Sequence, residues 1–172
     1  LHLHAEELTL RHPVTSADRT FKVEADFSMD IRLALRTALI DPDETNAFHW
    51  VHGASDGQPG WYVDHAGDFI LSQSSGPLSD AQRETLERWC PRFGLRGAYH
   101  KILRRRVGQG TVLKNSPEWV LGDRIPDSFV VRENGLSFEL SFAEGYSVGL
   151  FLDQRENRRR LLTGHVAAGF PL

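Results

Sequence analysis

An α+β fold, a small mixed sheet with helical cover preceded by a β-hairpin, is what three features of the sequence predict. Runs of alternating apolar and polar residues are set apart by turn signals such as Asp56-Gly57, Pro59-Gly60 and Asn134-Gly135. Between those runs lies a stretch of helical spacing with its own start signal, Ser79 followed three residues later by Gln82. The length of 172 residues is enough to bury roughly 70% of the unfolded surface, so a core needs no disulfide staples.

Residues 1–27 read as the N-terminal hairpin. Leu1, Leu3, Leu8 and Leu10 alternate with polar residues, Thr15 to Arg19 supplies a turn, and Phe21, Val23 and Ala25 alternate again. Residues 28–143 read as the sheet domain. Its first element is a helix between Ser28 and Leu39, where Ile31, Leu35, Ala38 and Leu39 recur at helical spacing and Pro42 closes the segment. Phe48 to His52 is a strand, and Trp61 to Asp64 pairs with Phe69 to Gln73 across Ala66-Gly67. The helix begun by Ser79 buries Leu86, Trp89, Cys90 and Phe93, and Pro91 limits its length. Gly97 to Leu103 is a further strand. Asn134-Gly135 forms a type I′ turn whose register sets Val131 opposite Phe138 and Phe129 opposite Leu140.

Residues 144–172 form a loop and helix of different character. Gly145 and Gly149 bracket the loop, Leu150-Phe151-Leu152 anchors it, and Asp153 with Glu156 has the spacing of a capping box. That assignment starts a helix at Gln154 and runs it to Thr163, with Asp153 contributing about 1 kcal/mol as its cap. The helix carries Arg155, Arg158, Arg159 and Arg160, a concentration of positive charge beside a glycine loop that points to an anionic ligand.

Gly149-Leu150-Phe151-Leu152-Asp153-Gln154-Arg155-Glu156-Asn157-Arg158, preceded by Glu144-Gly145, resembles the signature ahead of the cofactor domain in S-adenosylmethionine-dependent 23S ribosomal RNA methyltransferases. Thr45-Asn46-Ala47-Phe48, Val51-His52-Gly53, Ser55-Asp56-Gly57, Pro59-Gly60 and Val63-Asp64 resemble the opening of that family's central domain, and Glu133 to Phe138 its final hairpin. One departure is Tyr146-Ser147-Val148, where the family has Gln-Lys-Thr. The resemblance implies an RRM-like central domain and a cofactor wall of S-adenosylmethionine contacts at Tyr146, Ser147, Gly149, Phe151, Asp153, Gln154 and Arg155. The strand–glycine-rich turn–helix unit that holds this cofactor is not found in the sequence. Hence the expectation is a substrate-recognition portion of a methyltransferase acting on 23S rRNA, without catalytic residues of its own; the alternative is a stand-alone RNA-binding module. Residues 1–27 separately resemble the end of a pseudouridine synthase, with no catalytic residue carried over.

A net charge of −3 hides an asymmetry: from Arg88 to Pro117 there is no Asp or Glu, and the same window holds eight Lys and Arg. Tyr99, Lys101, Arg104, Arg105 and Arg106 in this window, with Arg158, are the expected RNA contacts, the arginines gripping phosphates and the tyrosine and His100 stacking on bases. The apolar tail from Val166 is expected to leave a patch able to self-associate. A single cysteine, no long apolar run and no signal-peptide pattern fit a cytoplasmic protein with no membrane partner. Cys90 is expected to be structural, the eight histidines to be ordinary strand and surface residues rather than metal ligands, and Asp56, Asp64 and Asp68 to be turn residues.

Overall fold

The computed structural model describes residues 5–22, 31–103, 116–143 and 147–165. The expected RNA contacts Arg104, Arg105 and Arg106, the loop residues Glu144 to Tyr146, and the tail from Val166 lie outside the described residues. The chain divides into two compact units, Leu1–Asp41 and Pro42–Leu172. In the first, β1 (Glu7–Arg11) and β2 (Asp18–Lys22) pair antiparallel, Leu8 opposite Phe21 and Thr9 opposite Thr20. The same unit contains α1 (Ile31–Leu39), which buries Leu33. The turn between the strands is shorter than the sequence predicts, since Asp18 and Arg19 already belong to β2.

The second unit is built on a five-stranded sheet of order β3-β4-β5-β6-β7. Its strands are β3 (Ala47–His52), β4 (Trp61–Ala66), β5 (Phe69–Ser74), β6 (Gly97–Ile102) and β7 (Glu118–Gly122). All neighbours are antiparallel except β5 and β6, which run parallel. A parallel neighbour cannot be reached by a tight turn, so the chain crosses over through α2 (Asp80–Arg92). Ser79 starts that helix as expected: its hydroxyl accepts from Gln82 N, and the Gln82 side chain accepts from Ser79 N. Pro91 sits in the last turn. Strand β7 has no counterpart in the sequence reading. Its place is fixed by close approach, because a side chain on Gly122, at φ +76°, would lie 2.2 Å from Arg96 O.

Both sheet faces are covered. Toward α2, Leu86 and Cys90 are buried, and the Trp89 ring stands edge-on to Trp50 and stacks on Trp61. Burial pushes the Cys90 thiol up to about 11, as suits a structural cysteine. Three polar groups on this face satisfy one another: Trp61 Nε1 donates to Ser72 Oγ at 2.8 Å, and Ser72 Oγ lies 3.0 Å from His100 Nδ1. On the opposite face a second hairpin, β8 (Phe129–Glu133) and β9 (Leu136–Leu140), forms its own two-stranded sheet. Its register is the expected one, Val131 against Phe138 and Phe129 against Leu140. Val131, Leu140, Phe142 and Leu150 complete a core with Ala47, Ala66, Phe69, Leu71 and Tyr99.

The covering of both faces corrects two expected base-stacking residues. Tyr99 is 6% exposed; its hydroxyl accepts from Ile125 N, and its ring meets Phe69 and Phe142 edge-on. His100 is buried against Ser72 and Gly76. A strand with neighbours on both sides and cover on both faces has no ring to offer to a base.

His65 stacks on Trp50 with a 5.0 Å centroid separation and meets Phe48 edge-on. Burial lowers its pKa from 6.5 to about 4, against the opposing pull of Asp68 and a Gly67 backbone hydrogen bond. The unfolded chain therefore takes up a proton that the folded chain refuses between about pH 4 and 6.5, so this contribution to stability is complete above 6.5 and is lost as the pH falls through that window. Thermal melts from pH 7 to 4.5 are expected to show a steeper loss for the wild type than for His65→Phe; equal slopes would contradict this assignment.

Candidate functional site: a polar row under the 147–158 segment

Strand alternation sets a row of polar side chains across the face that carries the second hairpin. The register pairs His49 with Asp64, Asp64 with Leu71, and Gln73 with Lys101, so His49, Asp64, Gln73 and Lys101 share that face. Asp64 is 6% exposed and is not a turn residue as expected; it lies within β4. A carboxylate only accepts, so His49 donates through Nδ1–H to Asp64 Oδ1, and Gln73 Nε2 donates to Oδ2 at 2.8 Å. Lys101 is 5% exposed, and burial lowers its pKa from the ordinary lysine value. Lys101, one of the expected RNA contacts, thus takes a buried position in this row.

Four such groups at inward positions of neighbouring strands need a reason to be there. It is a cavity of about 170 Å³, roofed by the segment from Ser147 to Asp153 and floored by the polar row. Gly149 makes the roof possible: it adopts φ +107°, and a side chain there would come within 3.1 Å of Glu139 O. Leu150 is buried and Leu152 packs against the core, but Phe151 between them is 63% exposed. The sequence reading placed Phe151 beneath the loop; alternation turns it outward to the rim of the cavity.

Asp153 is not a helix cap. Leu152 to Gln154 forms a 3-10 turn, which moves the start of α3 (Arg155–Leu162) onward and leaves Gln154 as the N-terminal flank with no side-chain cap. Asp153 instead accepts from Gln154 Nε2 at 2.8 Å. Of the other expected cofactor contacts, Ser147 Oγ accepts from Gly149 N, and Arg155 pairs with Glu156 at 3.3 Å.

Arg158 is the member of this set that the fold uses most heavily. Its guanidinium donates to both oxygens of Glu133 at 2.6 and 2.7 Å and to Phe151 O at 2.8 Å, and it lies over the Phe138 ring. Glu133 is 1% exposed, and its hydrogen bonds raise the pKa of Arg158 further. The expected RNA contact is therefore a latch from α3 to the second hairpin and the cavity roof. Nothing in its sequence position distinguishes it from Arg155, Arg159 and Arg160; only the buried acid across the hairpin does. Removing one partner of a buried pair strands the other, so Arg158→Ala is expected to destabilise the chain by about 3 kcal/mol. A Glu133→Leu/Arg158→Leu double variant should recover much of that loss in denaturant titrations; an additive loss would contradict the pairing.

No family model matches the chain. A ribosomal RNA large subunit methyltransferase of Deinococcus radiodurans is 33% identical over 139 residues, covering 77% of this chain and 34% of that protein. Ribosomal RNA large subunit methyltransferase I of Aliivibrio fischeri strain MJ11 is 27% identical over 158 residues, 88% of this chain and 39% of that protein. Among solved structures, a Streptococcus mutans protein described as a SAM-dependent methyltransferase superposes with a TM-score of 0.58 at 24% identity, covering 85% of this chain and 38% of its own. Another, described as a methyltransferase complexed with SAH, gives 0.56 at 22% identity, covering 93% and 42%. These two likenesses are of fold. The chain spans between about a third and two fifths of the length of the proteins it matches, and its relatives in sequence are ribosomal RNA large subunit methyltransferases.

Proposed function

We propose that this chain is the substrate-recognition portion of an S-adenosylmethionine-dependent RNA methyltransferase acting on 23S rRNA in the cytoplasm. The observation that carries the reading is the placement of the 147–158 segment. The loop that the sequence likeness associates with the methyl donor is latched by Arg158 to Glu133 and seated over the polar row of the sheet. A donor wall latched to a recognition surface suits a transfer reaction, in which two reactants must be held in register. The methyltransferase relatives add to this reading.

The described residues do not by themselves fit S-adenosylmethionine. Phe151 is 63% exposed, Asp153 and Gln154 bond to each other, and no strand–glycine-rich turn–helix unit stands among the described residues. Ser147, Gly149, Phe151 and Asp153 amount to one wall, so we assign the chain no step of methyl transfer. An RRM-like use of the sheet, one face backed by helix and the other turned to RNA, is narrowed in our reading to the cavity end, because the second hairpin and Leu150 cover the rest. Among the described residues no helix is long and apolar enough to cross a membrane.

Nonspecific grip on the RNA falls in this reading to the acid-free window, with Arg104, Arg105 and Arg106 neutralising phosphates. Replacing the three arginines with alanine is expected to weaken binding to a 23S rRNA fragment and to reduce the slope of log K against log salt by about 2 to 3. An unchanged slope would reject this surface. Failure of the wild-type chain to bind any rRNA fragment would reject RNA recognition altogether.

A further inference from the structure

At the outer edge of the five-stranded sheet the cover over the hairpin face gives out. Strand β7 is the terminal strand and pairs with β6 on one side. Its register slips by one residue: Leu121 lies opposite Ala98 and Trp119 opposite Tyr99, so Val120 is the extra residue of a bulge. A bulge on an edge strand bends it and re-aims the neighbouring side chain. Trp119 shares the phase of Tyr99 and so stands on the hairpin face, yet it is 43% exposed where Tyr99 is 6% exposed.

This exposed ring is held in place. Trp119 Nε1 donates to Gly122 O at 3.0 Å, which lays the indole back along its own strand. The turn after Gly122 brings Arg124 over the ring, with the guanidinium carbon 4.8 Å from the centroid. The ring quadrupole attracts that cation, so each group fixes the other before any partner arrives. Arg124 is itself exposed, and no acid among the described residues pairs with it. The acids nearest in sequence are engaged or turned away: Asp123 pairs with Arg96 at 3.1 Å, and Glu118 lies opposite His100, in the phase of the α2 face. The strand is entered directly from the acid-free window, which ends at Pro117.

A fixed indole with its one N–H already used has only a flat face to offer, and the guanidinium beside it offers donors for an anion. An unpaired nucleotide supplies both complements in one residue, a planar base and a phosphate. We propose that Trp119 and Arg124 form a stacking platform for an unpaired base of an RNA strand, with the indole under the base and the guanidinium on an adjoining phosphate. The proposal rests on RNA recognition as the function and adds a contact at the sheet's outer edge, outside the cavity lining. Every base has a π-face, so this platform holds the strand in position and does not read its sequence.

The test uses the 172-residue chain, a short single-stranded RNA of mixed sequence and an abasic strand of the same length. Trp119→Ala is expected to weaken binding of the mixed-sequence strand about 10-fold, the scale of one lost stacking contact, and to leave binding of the abasic strand and the salt slope unchanged. Trp119→Phe keeps a stacking ring and should retain most of the affinity. Arg124→Ala should lower the slope of log K against log salt by about 0.7, one phosphate's share on a single strand. Trp119 is the most exposed of the four tryptophans, so RNA should quench tryptophan emission in the wild type and much less in Trp119→Phe. Wild-type affinity in Trp119→Ala, or an equal loss on the abasic strand, would overturn the platform and leave RNA recognition standing. Emission that shifts with protein concentration and not with RNA would overturn it in favour of an interface between copies of the chain. Absence of wild-type binding to either strand would overturn RNA recognition and the platform with it.

Discussion

A sheet covered on both faces leaves no water for a polar side chain that points inward, and this constraint organises the Pro42–Leu172 unit. Each polar residue on the central strands must find its partner inside the protein or line a space that something else fills. On the α2 face Trp61, Ser72 and His100 take the first solution, joined in one network. The opposite face shows both solutions. His49, Asp64 and Gln73 bond in a chain, and the row they form with Lys101 borders a cavity. On the α2 face a packed helix lies against the polar groups, and on the opposite face they border a cavity. The difference is where the face is closed, because α2 packs its tryptophan directly onto the sheet whereas the 147–153 segment arches over it.

Features encoded by neighbouring residues were legible in the sequence. The Ser79–Gln82 capping box and the Asn134-Gly135 hairpin depend on atoms a few residues apart, and both stand in the structure as read. The Asp153 cap has the same spacing but loses to a longer-range demand. Seating Leu150 and Leu152 in the core winds Leu152 to Gln154 into a 3-10 turn, which removes Asp153 from the capping position. Strand β7 went unread because its pairing is with β6, about twenty residues earlier, and Trp119 within it is half exposed.

The candidate site was legible in half. The roof was marked by its glycine, its apolar run and its likeness to methyltransferases, and a cavity lies beneath it. The floor was not. His49, Asp64, Gln73 and Lys101 come from four strands, and each taken singly resembles a turn or surface residue. The signal that could have found them is a polar residue in the inward phase of several adjacent strands, which shows only once the strand order is known. Arg158 was misjudged for a related reason: its partner Glu133 belongs to a hairpin whose acidic residues look solvent-facing in sequence.

The docking of α3 has a dynamic consequence. None of its residues is buried, so the helix gains little from apolar packing and hangs chiefly from one guanidinium. That guanidinium also holds Phe151 O, which ties the helix to the loop above the cavity. Helix and loop therefore form one cooperative unit whose opening free energy lies well below that of the sheet, and their amide protons would exchange with solvent together while those of β5 and β6 stay protected. A molecule seated under the loop would close that unit, so occupancy of the cavity would be felt as slowed exchange along α3, which the molecule never touches.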